Sequence, residues 1–124
     1  MEPKDMATQI AAILDKKGGL DIQILEVGHM TSITDYFVIV SGRNVQSVHT
    51  LADDLEDQMT ALGIPPRRRE GNNAARWIVL DYAHVIVHIF HPEERQYYNI
   101  ERLWQDGSNQ LPFHPLDERQ ETAE

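Results

Sequence analysis

No cysteine occurs in the 124 residues. Disulfides, thiolate metal sites and cysteine nucleophiles are therefore excluded together. That fits a reducing compartment. Long apolar runs are missing too. The longest, "YFVIV" and "VIVHIF", have the length of a strand and fall far short of a membrane span. The opening "MEPKDMATQI" is acidic and carries no apolar segment of the kind a signal peptide needs. Basic residues are scarce. Eleven lysines and arginines stand against 20 acids, for a net charge of −9. A chain this acidic repels phosphate and makes a poor general nucleic-acid binder. A basic protein surface is the more natural partner, since complementary charge speeds encounter.

What remains is an ordinary globular mixture, 41% hydrophobic and 25% charged. The length suggests one domain, large enough to bury roughly two thirds of its unfolded surface. Met6, Ala7, Ile10, Ile13 and Leu14 recur at helical spacing. "DIQILEV" reads as a strand, and Tyr36 to Val40 as a central strand covered on both faces, because its residues are apolar without alternation. Asn44 suits a helix N-cap. Val45, Val48, Leu51, Ala52, Leu55, Met59 and Leu62 then form one stripe, closed by Gly63. "RRREG" reads as a short edge strand. "RWIVLDY" and "VIVHIFH" read as two strands joined tightly through Tyr82–His84. Pro92 opens a last helix with the stripe Tyr97, Ile100, Leu103 and Trp104. The expected order is α-β-β-α-β-β-β-α, an α/β fold with a mixed sheet and packed helices over residues 1–105. Residues 106–124 hold five acids and one arginine and read as a flexible tail.

The stretch from Asp81 to Tyr98, "DYAHVIVHIFHPEERQYY", carries three histidines among its acids, arginines and tyrosines. His84 and His88 share a strand face but stand about 13 Å apart at the strand rise, too far for one ion. His91 falls on the other face, and no HExxH is present. No metal site is expected. His88, between Ile86 and Phe90, reads as a half-buried, hydrogen-bonded histidine. "VSGRN" has one glycine before a helix, which serves a turn and cap rather than a phosphate cradle. "RRRE" at 67–70 offers three arginines to RNA, but a solvated edge strand explains them more simply. Trp77, after the polar "EGNNAAR", and Tyr98, one position off the last stripe, are the aromatics best placed to anchor a protein interface.

The mixed sheet with "SITDYF" resembles the nucleotidyltransferase fold. Those enzymes set two carboxylates at i and i+2 on one strand face to hold magnesium. Here Asp35 is followed at that spacing by Phe37, which cannot ligate. A nucleotide- or metal-dependent enzyme is the alternative reading that this feature weakens.

Taken together, "SITDYFVIVSGRN", "LAD", "EG…ARWIVLDY", "VIVHIF" and "ERQYYNIERLW" resemble the ribosomal silencing factors, also called the Iojap family, over roughly residues 5 to 105. The resemblance implies a nucleotidyltransferase-like α/β fold without catalytic carboxylates, no enzyme activity and no cofactor. It implies binding to the large ribosomal subunit through ribosomal protein uL14, steric blocking of small-subunit joining, and repression of translation in the cytoplasm during nutrient limitation. It also implies a homodimer in the free state. The partner-binding positions carry over as Trp77, Tyr82 and Tyr98, supported by Asp81, His88 and Arg95. At the hairpin the family pattern Asp-apolar-Gly-Asp becomes Asp81-Tyr82-Ala83-His84. If that turn needs positive φ, Ala83 pays a steric cost that glycine would not.

Overall fold

The computed structural model describes residues 1–71 and 74–115. Its elements run α1 (Pro3–Lys16), β1 (Leu20–Glu26), β2 (Tyr36–Ser41), α2 (Val45–Ala61), β3 (Arg68–Glu70), β4 (Trp77–Asp81) and β5 (Val85–Phe90). Two short helices follow, α3 (Pro92–Tyr98) and α4 (Ile100–Trp104), and then β6 (Gln110–Leu111). The strands form one sheet in the order β3-β4-β5-β2-β1-β6. β2 and β5 pair in parallel, with Ile39 opposite His88, and every other neighbour is antiparallel. The expected α/β class with a mixed sheet is the one observed.

Every residue of β2 is buried, as its unbroken apolar run requires of a strand covered on both sides. One face meets α1 and α2. There Ile10, Leu14, Leu51, Leu55 and Met59 close on Val38, Val40, Leu80, Val87 and Ile89, all of them buried. α2 begins at Asn44, whose side chain accepts from Ser47 N–H at 2.8 Å while Ser47 Oγ accepts from Asn44 N–H at 3.0 Å. This capping box satisfies donors that a bound anion would otherwise compete for. Gly42 is needed for close approach, since a Cβ there would stand 2.8 Å from Val48 N.

Among the described residues, the other face is covered only in part. A smaller cluster of Leu25, Val27, Phe37, Ile39 and Phe90 lies beneath Ile100 and Trp104 of α4. The single last helix expected from sequence is broken in two. Asn99 adopts the left-handed conformation (φ 46°) and its N–H caps α3 on Arg95 O. Asparagine tolerates that region better than most residues. The break ends the expected stripe. Ile100 and Trp104 face the sheet, while Tyr97 (74% exposed) and Leu103 (71%) face solvent.

The tail expectation also changes. The fold does not stop at residue 105, because β6 adds an edge strand to β1 through Ile24 and Leu25. Asn109 is buried and fixes the segment. Its side-chain amide donates to Glu26 O at 2.8 Å and Trp104 O at 2.7 Å, and its oxygen accepts from Asp106 N–H at 3.0 Å. Residues 116–124 lie outside the described residues.

The β4–β5 turn does place Ala83 at φ 70°, with its N–H held by Asp81 Oδ1 at 2.7 Å. We expect Ala83→Gly to raise the unfolding free energy by about 0.5–1 kcal/mol, since relief of the left-handed alanine outweighs the added chain entropy. A urea titration measures it. The same titration on Asn109→Ala should show a loss of about 1–3 kcal/mol, because Glu26 O and Trp104 O lose a buried donor.

Candidate functional site

Side chains alternate along each strand, so β4 and β5 send Trp77, Val79 and Asp81, and Ile86, His88 and Phe90, to the face opposite α1 and α2. α3 and α4 cover one end of that face. An ion pair holds them there: Arg95 Nε donates to Glu101 Oε1 across the Asn99 break, and Arg95 Nη1 donates to Ser41 Oγ of β2 at 2.9 Å. Both charged side chains are about nine-tenths buried, where a pair is retained only if its hydrogen bonds are satisfied. Arg95 is thus a structural clamp beneath the surface rather than an exposed contact.

Trp77 sits where the covered and uncovered parts meet. Its ring stacks on Phe90 with centroids 4.7 Å apart and tilts against Tyr98 at 5.0 Å. Its indole Nε1–H donates to His88 Nδ1 at 3.2 Å. Tyr98 is half exposed. The two aromatics singled out from sequence therefore meet in one patch, and Tyr97 extends it, its ring edge-on to Tyr98 at 5.0 Å.

Tyr82 does not join them. It is 4% exposed and packs in the α1/α2 core, on the opposite side of the sheet from Trp77. Its hydroxyl has no partner among the described residues, and burial raises the phenol well above its usual pKa. Strand alternation accounts for the change of side, since Tyr82 follows Asp81 by one position. Asp81 does lie on the Trp77 face but is buried, accepting from Ala83 N–H and, at 3.1 Å, from Arg67 Nη2. It shapes the hairpin instead of presenting a charge.

His88 is 9% exposed, deeper than the half-buried position expected. Burial pushes its imidazole down to about 4, so it is neutral at physiological pH. Beside it runs a groove of about 190 Å³ lined by Ile33, Phe37, Val79 and Ile86, with the exposed Arg68–Glu70 pair. Ile33, 62% exposed on the β1–β2 connection, borders this groove. Sequence reading passed over it because it sits in a polar loop. Its only signal was an isolated large apolar residue in "GHMTSIT".

The remaining candidates are committed elsewhere. Asp35, the one acid in the magnesium-ligand position, bonds His84 Nδ1 at 2.7 Å. His91 Nδ1 accepts from Glu93 N–H and caps α3. Among the described residues, no group of three histidines and carboxylates is placed to hold a metal ion. The arginines of β3 and its approach are each paired: Arg67 with Asp81, Arg68 with Glu70, and Arg69 with Asp53 and Glu56 of α2. The RNA reading of 67–69 thereby loses its free cations. No helix among the described residues is long and apolar enough to cross a membrane.

A family model described as "Ribosomal silencing factor during starvation" matches residues 1–124. The chain belongs to the ribosomal silencing factor family. It is 38% identical over 107 residues to "Ribosomal silencing factor RsfS" of Bacillus subtilis, covering 86% of this chain and 91% of that one. Among solved structures, a Chromobacterium violaceum protein superposes with a TM-score of 0.81 at 27% identity, over 90% of this chain and 95% of the other. A Bacillus halodurans protein gives 0.77 at 29%, over 89% and 99%. The silencing-factor fold is thus reproduced here around a sheet face that α3 and α4 only half cover.

The depressed imidazole of His88 has a thermodynamic consequence. In the unfolded chain it titrates near ~6.5, so between that value and about 4 the unfolded state binds more protons. Stability therefore rises with pH across this window and is lost on acidification. Between pH 7 and 5 the unfolding free energy should fall by about 2 kcal/mol from this group. His88→Gln should flatten that part of the pH dependence in denaturant titrations at several pH values.

Proposed function

We propose that this chain binds the large ribosomal subunit through ribosomal protein uL14, stands where the small subunit must dock, and so represses translation in the cytoplasm during nutrient limitation. The observation that carries the reading is the incompletely covered sheet face. Trp77 and Tyr98 meet there beside Val79 and Ile86, with Tyr97 and Leu103 exposed on the two short helices. Exposed aromatic clusters of this kind anchor protein interfaces, and Trp and Tyr dominate their energetics. The charge of −9 favours a basic ribosomal protein as the first contact. Family membership supplies the ribosome as the assembly.

The mechanism is steric. It needs no cofactor and no chemical step, and the protein acts as a regulator rather than an enzyme. Trp77 and Tyr98 are the primary contacts. His88 supports them from beneath, while Asp81 and Arg95 hold the hairpin and the α3–α4 cap that frame the face. Tyr82 drops out of the contact set, because a residue in the opposite core layer cannot reach the same partner. A homodimer of the free protein belongs to the same reading, and its sedimentation alone would measure it.

Sedimentation with purified large and small subunits, separate and mixed, tests this directly. The protein should travel with the large subunit and reduce joined ribosomes in the mixture. Trp77→Ala or Tyr98→Ala should weaken binding by about 2 kcal/mol or more without unfolding the chain. Tyr82→Ala should lower thermal stability instead. Migration with neither subunit, or wild-type affinity in a folded Trp77/Tyr98 double mutant, would refute the reading.

A further inference from the structure

The end of the sheet away from Trp77 carries a second cleft, of about 400 Å³. Trp77 pairs opposite Phe90, and Tyr36 opposite Val85. Those two positions of β5 lie roughly 17 Å apart at the strand rise. Glu26 and Tyr36 are cross-strand partners on β1 and β2, so their side chains share a face. Tyr36 packs its ring into the core on the α1 side, and the start of α1 adds Glu2 and Lys4 to the lining. Asp35 and His29 complete the wall.

Most groups around this space are acceptors. Glu2 stands at the N-cap of α1, but its carboxylate makes no cap bond. Asp35 engages His84 through Oδ2. Glycine at 28 leaves Oδ1 uncovered, since a Cβ there would stand 3.2 Å from it. Glu26 lies 3.7 Å from the ring of His29, which bonds Asp106 at 2.8 Å. Acids alone would make only a solvated rim, and Tyr36 makes more of it. The residue is 8% exposed, and its hydroxyl has no hydrogen-bond partner among the described residues. The unpartnered side-chain atoms sealed from solvent belong to Thr34, Tyr82 and His88. The Tyr36 hydroxyl is not one of them, so it opens into the cleft that Tyr36 lines. Burial, with the charges of Glu26 and Asp35, holds its phenol above the usual value.

We propose that this cleft binds an organic cation through its ammonium or guanidinium group, held by the carboxylates of Glu26 and Asp35 with the Tyr36 oxygen as a third acceptor. The site lies apart from the aromatic patch and does not depend on how that patch is used. Acceptors call for a donor-rich complement, and an ammonium brings three N–H donors and a guanidinium five. Bonds from such groups to carboxylates are charge-assisted and stronger than neutral ones. An anion is the poorer ligand, because three carboxylates of the lining oppose it and Lys4 alone is a fixed cation among the described lining residues. A metal ion is disfavoured too, since among the described residues no three histidines and carboxylates are placed to hold one. The volume falls within the ~300–1,000 Å³ of small-molecule sites, enough for the charged group and its alkyl stem. Either a free polyamine or a lysine or arginine of a basic protein supplies that chemistry.

The test needs the full chain alone, labelled with ¹⁵N and titrated at low salt. One arm adds spermidine, the other a blocked glycine-arginine-glycine peptide. Amide shifts should saturate and centre on Glu26, Gly28, His29 and Tyr36. Tyr36→Phe keeps the ring and removes the hydroxyl, and should weaken binding about threefold or more, the scale of one hydrogen bond. Glu26→Gln combined with Asp35→Asn should weaken it about tenfold or more, since both charge-assisted bonds are lost. Asp57→Asn, on the exposed side of α2, should change nothing. Tighter binding of spermidine assigns the cleft to free polyamines, and tighter binding of the peptide assigns it to a basic side chain. Both results support a cation site. Shifts that fail to saturate with either probe, that spread over the acids of α2, or that persist unchanged in the Glu26/Asp35 double variant overturn it. So does magnesium chloride, if it gives the same saturating shifts and displaces both probes. Should Tyr36→Phe fail to fold, the double variant decides.

Discussion

Strand β2 lies parallel to β5 and antiparallel to β1, and that middle position sets what the rest of the molecule does. Parallel neighbours cannot be joined by a tight turn. The chain therefore leaves β2 through α2 and returns through the β3-β4-β5 meander. This crossover lays α2 beside α1 on one face and fills that side with most of the core. It also brings Phe37 and Ile39 of β2 next to Ile86, His88 and Phe90 of β5 on the other face. After β5 the described chain supplies two helices of seven and five residues, α3 and α4. They are too short to cover a six-stranded sheet. Among the described residues, the part of that face left open follows from chain order and helix length.

How the covered part stays in place is a matter of buried polarity. Arg95 joins α3 to Glu101 of α4 and to Ser41 of β2, and Asn109 ties the end of α4 to the end of β1. Each has its hydrogen bonds met, which is the condition for polar groups to be tolerated inside. His88 differs from these clamps. One of its nitrogens is answered by Trp77, and the other finds no hydrogen-bond partner among the described residues. That contrast sets it apart from the clamps that surround it.

In the proposed reading, acidic charge and aromatic surface divide the work of recognition. Long-range attraction comes from the −9 of the whole chain and favours a basic partner before contact. Close-range affinity is concentrated in a few desolvated aromatics. The arginines of β3 add little to either, since each is paired with a carboxylate of the same chain.

Much of the architecture could be read from residues in a row. Helical stripes placed α1 and α2, unbroken apolar runs placed β2 and β5, Asn44 marked a cap that forms, and the short arginine-rich strand lies at an edge as expected. These are local properties, set by periodicity and by side-chain to backbone bonding within a few residues. Three features were decided only in the folded chain. The left-handed turn at Asn99 splits the last helix and moves Tyr97 and Leu103 outward, a one-residue event that a periodic pattern averages away. β6 forms because Asn109 finds carbonyls contributed by Glu26 and Trp104, one of them far back along the chain. Trp77 and Tyr98 meet with centroids 5.0 Å apart because α3 folds back beside β4, which no strand spacing sets. The residues by themselves determined an acidic mixed α/β domain with a few aromatics available to a partner. Which aromatics meet in one patch depended on which elements became neighbours, because long-range packing places groups that no local spacing relates.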